Sequence, residues 1–342
     1  MRYCYISRNY HNPKSAGGKA KSDIEDILQK MGAHNLGWKR TCYKNKIIEF
    51  IQNLSGVIKA ALSVHKGDVV VLQYPIKKYL KFLCWATHFS GGKVVAVIHD
   101  LGAFRSKRIT SQEEANRLQG ADVIICHNEK MKQILLDMGI TRPLVCLGIF
   151  DYLGGICQDK DMAQESGEHS VYFMGQLASS SNQFIYNLSA LLKTTTFHLF
   201  GNKFEQELLP TDCTTSYHGF AVDMDIIQDP PAEFGLSWYG ESLTFGKGKI
   251  GEYMSINNPH KVSLYLRCGT PVILWKHAGL AEFVDREQCG LLVDSLENLD
   301  DQLNTLTKEQ ISSMCANARR VGSLIAKGHY FETAFRKAIS LL

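Results

Sequence analysis

The chain has 342 residues, 45% of them hydrophobic, enough for two domains that each bury a core and in keeping with a soluble globular protein. A net charge of +4 and a pI near 8.4 are too mild for a dedicated nucleic-acid binder, but suit an acidic ligand or an anionic membrane surface. No apolar run approaches the roughly 20 residues that cross a bilayer, MRYCYISRNY is no signal peptide, and ten cysteines without a CxxC fit reduced thiols in a cytosol.

RYCYIS (2–7) predicts a short strand, and Gly17-Gly18 a loop after it. Glycines there let backbone N–H groups approach a phosphate, to which the positive end of the next helix adds. GKAKSDIEDILQKMG (18–32) has apolar residues at 20, 24, 27, 28 and 31, which is helical spacing closed by Gly32. NKIIEFIQNLSGVIKAALSV predicts a second helix, and DVVVLQYP and KVVAVIHD read as buried parallel strands. Between them YPIKKYLKFLCWATHF (74–89) interleaves Lys77, Lys78 and Lys81 with large apolar residues. A core helix with a solvated lysine face is the expectation, and a membrane-surface helix the other reading.

His99-Asp100 closes KVVAVIHD, where parallel sheets place catalytic groups. Either residue suits a general base or the positioning of a hydroxyl, the plain alternative being a His bonded within a loop. ADVIICHN and RPLVCLG are further strands; Asn128 reads as an N-cap, and His127 as a second residue facing a cleft. This makes a βα domain over 1–150. DYLGGICQDKDMAQESGEHS loses the apolar pattern and is expected to be a linker over 151–170.

The rhythm then restarts over 171–325 with VYFMG, a helix SNQFIYNLSALLK, TFHLFG, TSYHGF, FGLSWYG, a helix from Pro259, PVILW, a helix near 279–286 and CGLLV. Helices follow to 342, with 326–342 expected to return to the first domain. The fold class is α/β, two Rossmann-like parallel-sheet domains whose ligands bind beyond the strand ends.

Asp223-Met224-Asp225 has the look of a D-x-D metal clamp, but acidic residues in a helix first turn are ordinary capping chemistry, and no metal is expected. Gly246, Gly248 and Gly251 match G-x-G-x-x-G without the strand before it or the acidic residue after it. A basic glycine loop is the better reading, in which Lys247 and Lys249 fold over an anion. The helix from Pro259 carries the sharpest signal. Asn258 reads as its N-cap and Pro259 as its first residue. His260 and Lys261 then fall in a turn where a cation is disfavoured by roughly 0.3–1 kcal/mol. Such a lysine implies an anion in front of the helix.

Together these stretches resemble bacterial glycosyltransferases of the GT-B fold, near the large retaining family 4. The likeness lies in ADVIICHNEKMKQIL, VYFMGQL and RCGTPVILWKHAGLAEFVDREQCGLLV, through Gly269, Pro271, Gly279, Glu282 and Gly290. The paired glutamates of that family, eight residues apart, fall on Ile256 and Leu264, and Gln176 with a serine run replaces its Arg and Lys. The chain looks more like a side branch carrying NPHK..LYL..G.PVI, which includes galactofuranosyltransferases and the glucosyltransferases that extend glycans on serine-rich adhesins.

The resemblance implies a UDP-sugar donor, held by Gly17, Gly18, Gly175, Lys249, Asn258, His260, Lys261 and Glu282. His99 and Asp100 would lie at the reacting sugar, Asp100 as base if the reaction inverts. No cofactor or metal is implied, nor any nucleic acid. The acceptor would be a glycan, glycoprotein or lipid-linked glycan, in a cytoplasmic enzyme, with peripheral membrane contact and self-association left open. A non-catalytic sugar-binding partner subunit and a UDP-sugar epimerase are the alternatives.

Overall fold

The computed structural model describes residues 1–10, 16–76, 79–105, 109–155, 169–221, 229–244 and 253–342. The chain divides into two compact units, one of Met1–Leu153 with Gly328–Leu342, the other of Gly154–Lys327.

The first unit holds β1 (Arg2–Tyr5), β2 (His34–Asn35), β3 (Asp68–Tyr74), β4 (Lys93–Ile98), β5 (Val123–Cys126) and β6 (Leu144–Cys146), in the order β2-β1-β3-β4-β5-β6. The second holds β7 (Ser170–Gln176), β8 (Thr196–Asn202), β9 (Thr215–Tyr217), β10 (Phe234–Ser237), β11 (Val272–Trp275) and β12 (Gly290–Val293), in the order β12-β11-β10-β7-β8-β9. Every pairing is parallel. β3 is buried along its whole length, as an apolar run covered on both faces requires.

In the first unit Val69, Val71, Val95, Val97, Val123 and Ile125 alternate onto one face. Phe331 and Phe335 of the terminal helix His329–Ile339 fill the same cluster, and Phe335 meets Tyr3 edge-on at 5.3 Å. The buried Asp151 carboxylate accepts the backbone N–H groups of Tyr330 and Phe331 at 3.2 and 2.7 Å. It thereby satisfies donors that a helix start leaves open. Asp151 and Tyr152, which open the expected linker, are for this reason buried in the first unit.

Two local expectations are corrected, and a stretch the sequence left unread is filled. Gly17 and Gly18 sit in the first turn of helix Ala16–Lys30 and not in a loop, where the N–H groups have no intrahelical partner in any case. Helices Gly102–Arg105 and Ser111–Leu118 stand between β4 and β5, too short and polar to show an apolar stripe; Thr110 and Glu113 form a capping box. Helix Leu80–Phe89 buries Leu80, Leu83, Cys84, Ala86 and Thr87, but Phe82, Trp85 and Phe89 are exposed beside Lys81. Its outer face is thus aromatic as well as basic. Lys77 and Lys78 lie outside the described residues.

In the second unit, helix His260–Arg267 is locked by two glycines. A side chain on Gly235 of β10 would meet the Tyr265 ring at 2.4 Å, and one on Gly322 of helix Lys308–Lys327 would meet the Leu266 carbonyl at 2.2 Å. The Tyr265 hydroxyl accepts from the Met174 N–H at 3.0 Å and donates to the Leu236 carbonyl at 3.2 Å. The helix is therefore tied to both β7 and β10.

Candidate functional site

The carboxyl ends of β7 and β10 and the start of helix His260–Arg267 meet around one ammonium group. Lys261 Nζ lies 3.9 Å from the Phe173 ring centroid and 4.2 Å from that of Tyr239. Phe173 stands on β7, and Tyr239 two residues past β10. Gly175 leaves the space beside them open, since a Cβ there would lie 3.5 Å from Nζ. Lys261 forms no ion pair or hydrogen bond with any described residue. Burial pushes its pKa down to about 7. Ring faces attract a cation but supply no acceptor for its N–H groups, so the ammonium keeps three unused donors.

The helix start differs by one residue from expectation. Pro259 is the N-cap, Asn258 precedes it, and Pro259 itself supplies no side-chain cap. Proline fixes the entry dihedral but brings no side-chain oxygen to the turn; its carbonyl accepts the Val262 N–H at 3.0 Å. Asn258 is buried and His260 partly so. Glu282 is exposed in the first turn of helix Ala281–Glu287. Lys249, the glycines 246, 248 and 251, and Asp223 and Asp225 lie outside the described residues.

The other site residues belong to the first unit. His99 is buried at the end of β4, its Nε2 2.7 Å from Gln73 Oε1. Gln73 donates its amide to the Lys21 carbonyl at 3.1 Å, which turns its oxygen to the imidazole and makes Nε2 the donor. The His99 ring stacks on Phe150 at 5.4 Å. Asp100 pairs with Arg105. His127, expected to face a cleft, is fully buried: it packs edge-on to Phe150 at 5.0 Å and bonds the Ile98 carbonyl at 3.1 Å. Burial lowers its pKa to about 4, so it is neutral at physiological pH. Gly17 is exposed, with open space around it.

Comparison with known proteins gives the family of the chain. Residues 3–149 match the N-terminal domain, and residues 171–338 the C-terminal domain, of the glucosyltransferase 3-like family. The chain belongs to this family of glycosyltransferases.

Among its relatives is the beta-1,6-galactofuranosyltransferase WbbI of Escherichia coli, 26% identical over 95% of each chain. Glucosyltransferase 3 of Streptococcus gordonii is 23% identical over 94% of this chain and 93% of its own. An alpha-glucosyltransferase solved with UDP and a 13-mer DNA superposes with a TM-score of 0.56 at 13% identity, covering 100% of this chain and 99% of its own. The lipopolysaccharide glycosyltransferase WaaG gives 0.51 at 11% identity, covering 97% and 98%. These likenesses establish the GT-B fold.

For a glycosyltransferase of this family, the sequence pointed to Lys261 and Gly175, which the structure brings together, and to His99 and Asp100, which are neighbours in the other unit. It missed Phe173 and Tyr239, the rings that flank the lysine. A signal was present, since each aromatic residue stands one or two positions before a strand-end glycine, in FMG and WYG.

Proposed function

We propose that this glycosyltransferase moves a sugar of the galactofuranose or glucose kind from UDP to a glycan or lipid-linked glycan, in the synthesis of a surface polysaccharide or glycoprotein, without a metal. The observation that carries the reading is Lys261, a half-buried ammonium set between two rings with no carboxylate partner among the described residues, at the start of a helix whose N-cap is a proline. A diphosphate fits both features: its oxygens take the ammonium donors of Lys261 and the backbone N–H of the same residue at the helix start. As the sugar leaves, negative charge grows on the UDP, and an ammonium fixed between two rings stabilises it without having to reorganise. His99, oriented by Gln73, and Asp100 act at the sugar, Asp100 as base if configuration inverts. The galactofuranosyl- and glucosyltransferase relatives support the donor class.

The purified enzyme, given UDP-galactofuranose or UDP-glucose with an acceptor glycan, is expected to release UDP in the presence of EDTA. Activity lost to EDTA and restored by manganese overturns metal-free turnover. Donor consumed without acceptor points to epimerisation. Failure to bind UDP at all defeats the reading.

A further inference from the structure

The two helices flanking β3 are apolar on both sides. In Lys46–Ser63, Val57 and Ala60 are buried in the first unit. On the outside, Ile47, Ile51, Ile58 and Leu62 recur at helical spacing and, with the half-buried Leu54, form one stripe. Ile47 is 71% exposed and Leu62 82%. Helix Leu80–Phe89 packs beside it and presents Phe82, Trp85 and Phe89 at i, i+3 and i+7. Trp85 is 60% exposed and Phe89 81%, and the rings touch only along the ladder, at 6.1 and 5.5 Å. Large side chains in such numbers are not left in water by a surface without a partner.

Charge says what the partner is. Lys39, Lys44, Lys46, Lys66 and Lys81 are exposed around these stripes, and Lys59 lies over the Trp38 ring at 4.4 Å. From Trp38 to Lys93 the sequence has ten Lys and Arg against two Asp and Glu, a net +8; the whole chain nets only +4, so the remainder nets −4. One of the two acids, Asp68, is buried and neutralised by Arg2. An isologous pairing with a second copy would set these lysines against themselves. An anionic bilayer offers the reverse: headgroup charge for the lysines, an acyl boundary for isoleucine and leucine, and an interface that favours tryptophan.

We propose that helices Lys46–Ser63 and Leu80–Phe89 seat the enzyme on an anionic lipid surface. The inference is independent of the donor-site reading, because it uses no residue of that site.

The test is sedimentation of the full chain with vesicles of phosphatidylcholine alone or with an equal share of phosphatidylglycerol. Binding is expected to the anionic vesicles, to weaken with salt, and to fall about tenfold or more in the double variant Trp85→Ser, Phe89→Ser. The triple variant Lys44→Glu, Lys46→Glu, Lys81→Glu alters only exposed charge, so it keeps the test sound if the serine variant folds poorly. It should lose the preference for anionic vesicles with its melting temperature unchanged. Equal binding to both vesicle types, binding to neither, or binding that survives both variants overturns the proposal. Concentration-dependent self-association abolished by the serine variant overturns it in favour of a second copy.

Discussion

Two lysines in this molecule lie over a tyrosine ring near the start of a helix, and they do opposite things. Lys19 Nζ is 4.6 Å from the Tyr152 ring and also holds both Asp23 oxygens, at 2.5 and 2.6 Å, and the Leu153 carbonyl at 3.1 Å. Every donor is used, and the group ties the end of the first unit's main segment to helix Ala16–Lys30. Lys261 has two rings and no oxygen. An ammonium whose three donors are filled is structural; one held between rings with its donors left open is prepared for an anion.

The sharpest way to break this comparison is to remove each charge. Lys261→Met is expected to weaken UDP binding tenfold to about a hundredfold, the worth of one charge-assisted bond, and to leave the apo melting temperature unchanged or higher. Lys19→Met should leave UDP binding intact and cost about 3 kcal/mol in denaturant unfolding, because it strands the buried Asp23. Calorimetric titration with melting curves on both variants checks the pair. Equal UDP affinity in Lys261→Met and its parent ends the phosphate assignment.

His99→Ala and Asp100→Ala should lower kcat by about tenfold or more while UDP affinity holds, since these residues are assigned to the sugar and not the nucleotide. Steady-state kinetics beside UDP titration separates the two effects.

A smaller effect sharpens the Lys261 half. With a pKa near 7, the apo lysine carries a proton only part of the time at neutral pH. A bound diphosphate would hold it protonated, so UDP binding near pH 7 should take up about half a proton. Titrations in buffers of different ionisation heat measure this, and Lys261→Met should abolish it. The sign also sets the apo stability: between pH 7 and 10.5 the unfolded chain binds the proton and the folded one does not, so the penalty this group places on the fold fades as pH rises through that window.

The smallest expected effect belongs to Asp151. Burial raises its pKa from 3.8 to about 7, against the two N–H groups it accepts. The folded state keeps a proton that the unfolded state has lost, so stability declines as pH rises from about 4 to 7. Asp151→Asn should flatten part of that slope in melting curves. Glu25, raised by burial to about 6, accounts for a further part.

The strands were legible because fully buried parallel strands are written as apolar runs, as in DVVVLQY and KVVAVI. Lys261 was legible because its charge contradicts its place in the helix. Its ring cage was not, since Phe173 and Tyr239 are 66 residues apart in sequence and come together only when β10 pairs with β7. The outer face of Leu80–Phe89 was misread because burial cannot be told from exposure when both faces of a helix are apolar. Asn258 was placed one position late because proline is at home both at a cap and just inside a helix.

The last helix has a consequence for synthesis. Phe331 and Phe335 complete the first unit's core, and Asp151 waits for their backbone. A ribosome that has released Met1–Leu153 has therefore produced a sheet whose apolar face is covered by helix Ala16–Lys30 but lacks Phe331 and Phe335. That gap stays open while the whole of Gly154–Lys327 is made, and closes only when Gly328–Leu342 emerges. The second unit can mature on the nascent chain; the first, though translated earlier, finishes last, and a message cut short before Gly328 would yield a sticky protein rather than a smaller enzyme.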